Sequence, residues 1–169
     1  MIRLSACQQQ ADTHPALGDE PWSSKLHHVL GHDQGDATVG MAVSSFTSVS
    51  LDPPLVSVCI QNSSSTWPIL QTAERLGLSI LGSDQPGIGR RLAAKAADRF
   101  QDIEWEAGAA GAVFVSNAVL YFECSIHKSI EAGDHEIVLL RLQNLRINPG
   151  IEPLVFHRSR FRRLEASAD

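Results

Sequence analysis

Two long β-like stretches, Ala118 to Lys128 and Ile137 to Ile147, stand on either side of Gly133-Asp134. Glycine followed by an acidic residue is tight-turn chemistry, so the segment reads as one antiparallel hairpin. A hairpin this long is not stable alone and needs further strands beside it. The chain offers them. Leu55 to Gln61 (LVSVCIQ) is rich in β-branched residues and almost continuously apolar, the pattern of a strand covered on both faces. Leu26 to His32 and Ala37 to Ser45 flank a turn at Asp33-Gln34-Gly35-Asp36, and Leu78 to Leu81, Val113 to Val115 and Pro153 to His157 are shorter strands. Ser50-Leu51-Asp52-Pro53-Pro54 interrupts the pattern, because proline donates no ladder hydrogen bond. Two short helices are expected. Thr66 to Arg75 follows the capping run Ser63-Ser64-Ser65 and ends at Gly77, and Gln85 to Lys95 carries Pro86 in its first turn. About six or seven strands joined by tight turns imply a mainly β (α+β) fold, an antiparallel sheet closed into a small barrel that removes its exposed edges.

At 169 residues the chain is one domain by the usual size prior. Residues 1–24 show little periodicity and hold Pro15 and Pro21, so they read as a flexible lead-in to a domain over 25–165. A net charge of −5 does not favour nucleic acid as a partner. No apolar run is long enough to span a membrane, and the start lacks a signal-peptide pattern, so the expected location is cytoplasmic. Cys7, Cys59 and Cys124 are odd in number and widely spaced, and His27, His28 and His32 lack partner ligands at metal-site spacing. Neither a disulfide framework nor a metal centre is expected. Gly87-Ile88-Gly89 lacks the third glycine of a dinucleotide fingerprint, and no G-x-S-x-G elbow is present.

From Gly40 to Val56 the hydroxyls of Ser44, Ser45, Thr47, Ser48 and Ser50 alternate with apolar residues. Read from the residues alone, this is either a polar loop or an edge that offers hydroxyls and backbone N–H groups to a flat heterocycle or a phosphate.

The same stretch resembles the hallmark of the flavin reductase domain family, the small FMN-binding split β-barrels. Further matches follow in order: Asn62-Ser63-Ser64-Ser65-Thr66 after the LVSVCIQ strand, and Leu78-Ser79-Ile80-Leu81 with Asp84-Gln85. Then come Lys95 to Phe100, Glu123-Cys124, Gly133-Asp134-His135 and Pro153 to Arg158. The resemblance implies an NAD(P)H:flavin oxidoreductase that passes hydride from NADH or NADPH to N5 of FMN or FAD and supplies reduced flavin to a separate monooxygenase. It implies a homodimer with flavin near the interface. It places Val43, Ser44, Ser45, Ser48, Val49 and Ser50 along the isoalloxazine. Asn62, Ser63, Ser65, Thr66, Lys95, Arg99 and Phe100 are placed around the phosphate tail. His135 becomes the catalytic and nicotinamide-contacting candidate, helped by Arg160 and Phe161. Ala42 stands where the family usually has threonine, Leu140 where glycine is common, and LHHVLGH departs from the usual first strand. These departures motivate an alternative: a flavin- or small-molecule-binding barrel of the same fold without reductase activity, repurposed for a non-redox step such as a cyclisation.

Overall fold

The computed structural model describes residues 24–26, 28–35, 37–43, 45–94, 99–157 and 160–162. The lead-in expected over residues 1–24 lies outside them except for Ser24, as do Ser44 and Lys95. In chain order the first strands are β1 (Ser24–Leu26), β2 (His28–Asp33), β3 (Thr38–Val43), β4 (Thr47–Leu51) and β5 (Pro54–Gln61). Helix α1 (Trp67–Leu70), β6 (Leu76–Ile80), α2 (Pro86–Ala93), β7 (Trp105–Ala107) and β8 (Val113–Val115) follow. The chain continues through β9 (Leu120–Ala132), β10 (His135–Ile147), β11 (Val155–His157) and β12 (Arg160–Arg162).

The expected hairpin is the centre of the molecule. β9 and β10 pair antiparallel from Ala132↔His135 to Leu120↔Ile147. Gly133 opens the two-residue turn at φ +69°, the left-handed geometry that a glycine-first hairpin turn needs. The main sheet has seven strands in the order β3-β2-β6-β9-β10-β5-β4, each neighbour antiparallel. β1, β11 and β12 form a small second sheet, and β7 and β8 a ribbon.

Two expectations are corrected. The helix predicted over Thr66 to Arg75 is a single turn, Trp67–Leu70, and Gly77 is no helix stop but an interior residue of β6. All five residues of β6 are buried, so burial between two layers overrides the local helical signal of the preceding segment. The break at Ser50–Pro54 is narrower than expected. β4 runs through Leu51, and β5 begins at Pro54, a first strand position where the missing N–H is tolerated.

Cross-strand partners share a face, and this assigns the sheet two cores. Leu30↔Leu78↔Phe122, Leu76↔Cys124, Val58↔Val138 and Val56↔Leu140 all point inward. They form the main cluster with Val43, Ile60, Trp67, Leu70 and Ile80. Leu140, which stands where the family favours glycine, is fully buried there, so this departure fills the core. Burial pushes the Cys124 thiol up to about 12, which keeps it neutral.

The opposite face of β3-β2-β6 carries a row of glycines, Gly40↔Gly31↔Gly77. A Cβ on Gly40 would lie 2.5 Å from Phe100 Cε2, one on Gly31 would lie 3.2 Å from Val113 Cβ, and one on Gly77 would overlap the Val113 carbonyl. The row is therefore a trough in which β8 and Phe100 sit directly on the sheet. Ser79, next along that face and fully buried, accepts the Val115 N–H at its Oγ, 3.1 Å. Val29, Leu81, Leu92, Phe100, Ile103, Val113, Val115 and Leu154 close this outer cluster.

The β3–β4 corner is held by a side chain standing in for backbone. Ser45 Oγ accepts the Cys59 N–H at 2.7 Å and donates to the Cys59 carbonyl at 3.1 Å. These are groups that β5 turns toward β4, two residues beyond the Thr47↔Ser57 pair.

Gly77→Ala is expected to lower unfolding stability by about 3 kcal/mol or more, because backbone, not a flexible side-chain tip, occupies the space. Gly87→Ala, on the exposed face of α2 with nothing within 4 Å, is expected to raise it by about 0.5–1 kcal/mol. Urea denaturation midpoints of the two variants check both signs. Ser45→Ala is expected to cost about 1–3 kcal/mol by leaving the Cys59 groups unpaired, read by the same titration.

Candidate functional site

β4 is an edge strand of the main sheet, so one side of it presents backbone N–H and C=O groups that no strand of that sheet pairs. A register shift between Ser48 and Ser50 leaves Val49 as the extra residue of a bulge, a device that re-aims side chains at sheet edges. Val49 is 49% exposed and Leu51 92%, so the strand offers apolar surface beside the hydroxyls of Ser48 and Ser50. Two residues expected along a heterocycle are otherwise engaged. Val43 packs in the inner core, and the Ser45 hydroxyl is committed to Cys59. From these two, any contribution to a ligand comes through the backbone. Ala42 packs against the outer cluster, which accounts for its small size.

The loop after β5 meets β3 where the Ser64 hydroxyl faces Met41 Sδ at 4.0 Å. Asn62, Ser63 and Ser65 are exposed, and Thr66 is buried. Trp67 N–H donates to Ser64 Oγ at 3.2 Å, fixing the first turn of α1. Arg99 reaches in from the segment after α2. One terminal guanidinium nitrogen donates to Thr66 Oγ1 at 3.0 Å and to the Gly40 carbonyl at 3.3 Å. Phe100, beside it in sequence, is buried against Gly40. Its side chain packs in the outer cluster. Among the described residues no carboxylate forms an ion pair with Arg99. A guanidinium has five donors, so one held at the end of a loop of exposed serines, with no ion-pair partner among the described residues, is a donor suited to phosphate. The structure thus brings Thr66 and Arg99 together.

At the other end of the same loop stands the Gly133-Asp134 turn. Asn62 N–H donates to the Asp134 carbonyl at 2.9 Å and its amide Nδ2 to the Gly133 carbonyl at 3.2 Å. His135 opens β10 opposite Gln61 and shares a 2.8 Å hydrogen bond between its Nδ1 and Asp134 Oδ1. It is half-buried, not a free surface histidine. Arg160 and Phe161 lie instead on the small sheet. Phe161 meets Phe156 edge-on at 5.2 Å and lies under the Arg90 guanidinium at 5.5 Å. It also lines a cleft of about 270 Å³ with Ser83, Asp84, Pro86, Leu154 and Arg162. His135 and the pair Arg160–Phe161 therefore belong to different sheets.

The sequence pattern did not point to Gly40, Trp67 or Glu136 as site residues. Trp67 Nε1 donates to Glu136 Oε2 at 3.3 Å, a second tie between the loop and the start of β10. Gly40 left a readable signal, since an isolated glycine inside a strand marks a close approach. Nothing local marks Trp67 and Glu136, which are distant in sequence.

Similarity to known proteins runs along the same residues. The model of the flavin reductase like domain matches residues 26–165. The actinorhodin polyketide dimerase of Streptomyces coelicolor is 34% identical over 140 residues, 83% of this chain and 79% of that protein. Among solved structures, the NADH:FAD oxidoreductase of Streptomyces globisporus, in complex with NAD and FAD fragments, superposes with a TM-score of 0.81 at 33% identity. That match covers 87% of this chain and 89% of the other. The flavin reductase component of a bacterial two-component tryptophan halogenase superposes at 0.78 and 30% identity, covering 87% and 94%. With the antiparallel barrel, the polar loop after β5 and the Gly133-Asp134-His135 turn all within the matched span, the chain belongs to the flavin reductase like domain family.

Proposed function

We propose that this chain is an NAD(P)H-dependent flavin reductase that supplies reduced FMN or FAD to a separate monooxygenase. The observation that carries the reading is Arg99. It is half-buried, lacks an ion-pair partner among the described residues, and is held by Gly40 and by Thr66, at the end of the loop that carries the exposed Ser63 and Ser65. An exposed cation would move, whereas this one is fixed where an anionic tail can be met by several donors at once. Flavin, when bound, supplies the ring that accepts hydride. The chain's part is binding and orientation, since hydride transfer needs no protein nucleophile. Edge strand β4 presents backbone donors along one side and the apolar Val49 beside them, a surface for a flat ring with polar edges. Donors fixed before the reaction favour the ring as it gains negative charge. His135 contributes a half-buried ring held by Asp134, and the main work of such a site is to place the nicotinamide against the flavin.

A pairing of two copies is part of the proposal. β5 covers β10 only as far as Arg141, and beyond that point the apolar side chains of Leu145 and Ile147 are half exposed. One observation favours a second reading: the Streptomyces coelicolor relative is named a polyketide dimerase. In that reading the same barrel binds a flat ligand without nicotinamide chemistry.

The direct test mixes purified protein with FMN or FAD and with NADH or NADPH and follows nicotinamide absorbance in air. Oxidation that requires flavin is expected. Tight flavin binding with no nicotinamide oxidation would overturn the proposal and favour the second reading. Arg99→Ala is expected to weaken flavin binding roughly ten- to hundredfold, the worth of charge-assisted hydrogen bonds, measured by quenching of flavin fluorescence.

A further inference from the structure

We infer that Asn62 is a positioning residue for His135 and not a flavin ligand, and that the loop after β5 sets where the nicotinamide-facing turn sits. The inference rests on the reductase reading and deepens it. Asn62 spends its backbone N–H on the Asp134 carbonyl at 2.9 Å and its side-chain N–H on the Gly133 carbonyl at 3.2 Å. Both carbonyls of the turn are thus held by one residue. The next bonds in line fix the histidine: Asp134 Oδ1 to His135 Nδ1 at 2.8 Å, and the register pair Gln61↔His135 immediately before Asn62. On the far side, Trp67 Nε1 holds Glu136 Oε2 at 3.3 Å, so residues 133–136 are gripped from both ends of one loop.

Gly133 needs this grip. Its φ is +69° and nothing lies within 4 Å of where its Cβ would be, so no packing fixes the turn from that side. Glycine populates several backbone regions, and a hydrogen-bond clamp is what selects one. Asn62 is itself exposed, so the clamp contributes little to global stability, and its effect falls on the geometry of the turn. The other end of the loop, Thr66, holds Arg99. Six residues from Gln61 to Thr66 therefore connect the phosphate-side cation to the His135 turn.

The test compares the wild type with Asn62→Ala and with Asn62→Asp, which keeps the shape and removes the side-chain donor. Each is measured for flavin Kd, for nicotinamide KM and kcat at saturating flavin, and for amide hydrogen exchange across residues 133–136. Both variants are expected to raise nicotinamide KM roughly three- to tenfold, about the worth of one hydrogen bond. Flavin Kd should stay within about twofold and the thermal midpoint nearly unchanged, while exchange in the turn quickens. Weakened flavin binding with unchanged nicotinamide KM would overturn the inference and return Asn62 to the flavin. Unchanged exchange in the turn would overturn it as well. If the wild type shows no flavin-dependent nicotinamide oxidation, the reductase reading fails. The exchange and flavin titrations then still decide whether Asn62 holds the turn.

Discussion

The close approach of a second layer to β3-β2-β6 depends on side chains that are not there. Gly40, Gly31 and Gly77 lie in one row across three strands, and a Cβ on any of them would press on Phe100 or on Val113. Layers normally stack about 10 Å apart because side chains from both fill the gap. Here the trough lets β8 come near enough for the Val115 N–H to reach the Ser79 hydroxyl. That contact satisfies a polar group that would otherwise be fully buried without a partner, a cost of roughly 1–3 kcal/mol. A sheet with apolar side chains on both faces must be covered on both. The glycine row makes the second cover fit.

The site inherits its geometry from this packing. Phe100 enters the outer core over Gly40, and Arg99, its neighbour in sequence, donates to the Gly40 carbonyl. The guanidinium then joins two elements that the sheet order keeps apart, the Gly40 carbonyl on one edge strand and Thr66 at the end of the loop after β5. Ser45 acts in the same manner at the corner, where its hydroxyl replaces a ladder partner for Cys59 and so fixes where β4 starts. Arg99 and Ser45 are thus both held by contacts to strands of the main sheet. Preorganisation of this kind is what lets fixed donors act without reorganising when a ligand arrives.

The sequence was most legible where local and global preferences agree. The β9–β10 hairpin, the LVSVCIQ strand and the helix opened by Pro86 all stand as their patterns imply, since turn chemistry and apolar periodicity act over a few residues. It was least legible where a distant layer decides. Residues 66–75 look helical by capping and composition, yet β6 begins at Leu76 because every residue of that strand is buried. β7 and β12 have three residues each, too short for periodicity to mark. At the site, hydroxyls could be found in the sequence but not their use. Ser45 and Ser48 look alike in a serine-rich run. One is bonded to a neighbouring strand and the other is open to solvent.

This division bears on how far the fold can speak for the chemistry. Val43, Phe100 and Ser45 lie within segments that carry the family resemblance and Leu140 at a departure from it, and the structure occupies all four side chains with packing or with backbone. The sheet must be packed whatever the site does, so such positions report on architecture. Among the described candidates fewer groups are left that could meet a ligand: the outer side of β4, the exposed serines at 63 and 65, Arg99 and the His135 turn. Relatives of this chain are named both a reductase and a polyketide dimerase, so the chemistry is set by a small set of groups at the site and not by the fold. In this chain that small set retains a fixed cation and a clamped histidine at opposite ends of one loop. The proposed reductase would use both, Arg99 for the flavin's tail and His135 for the hydride donor, whereas the same fold binding a flat ligand alone would use only the first.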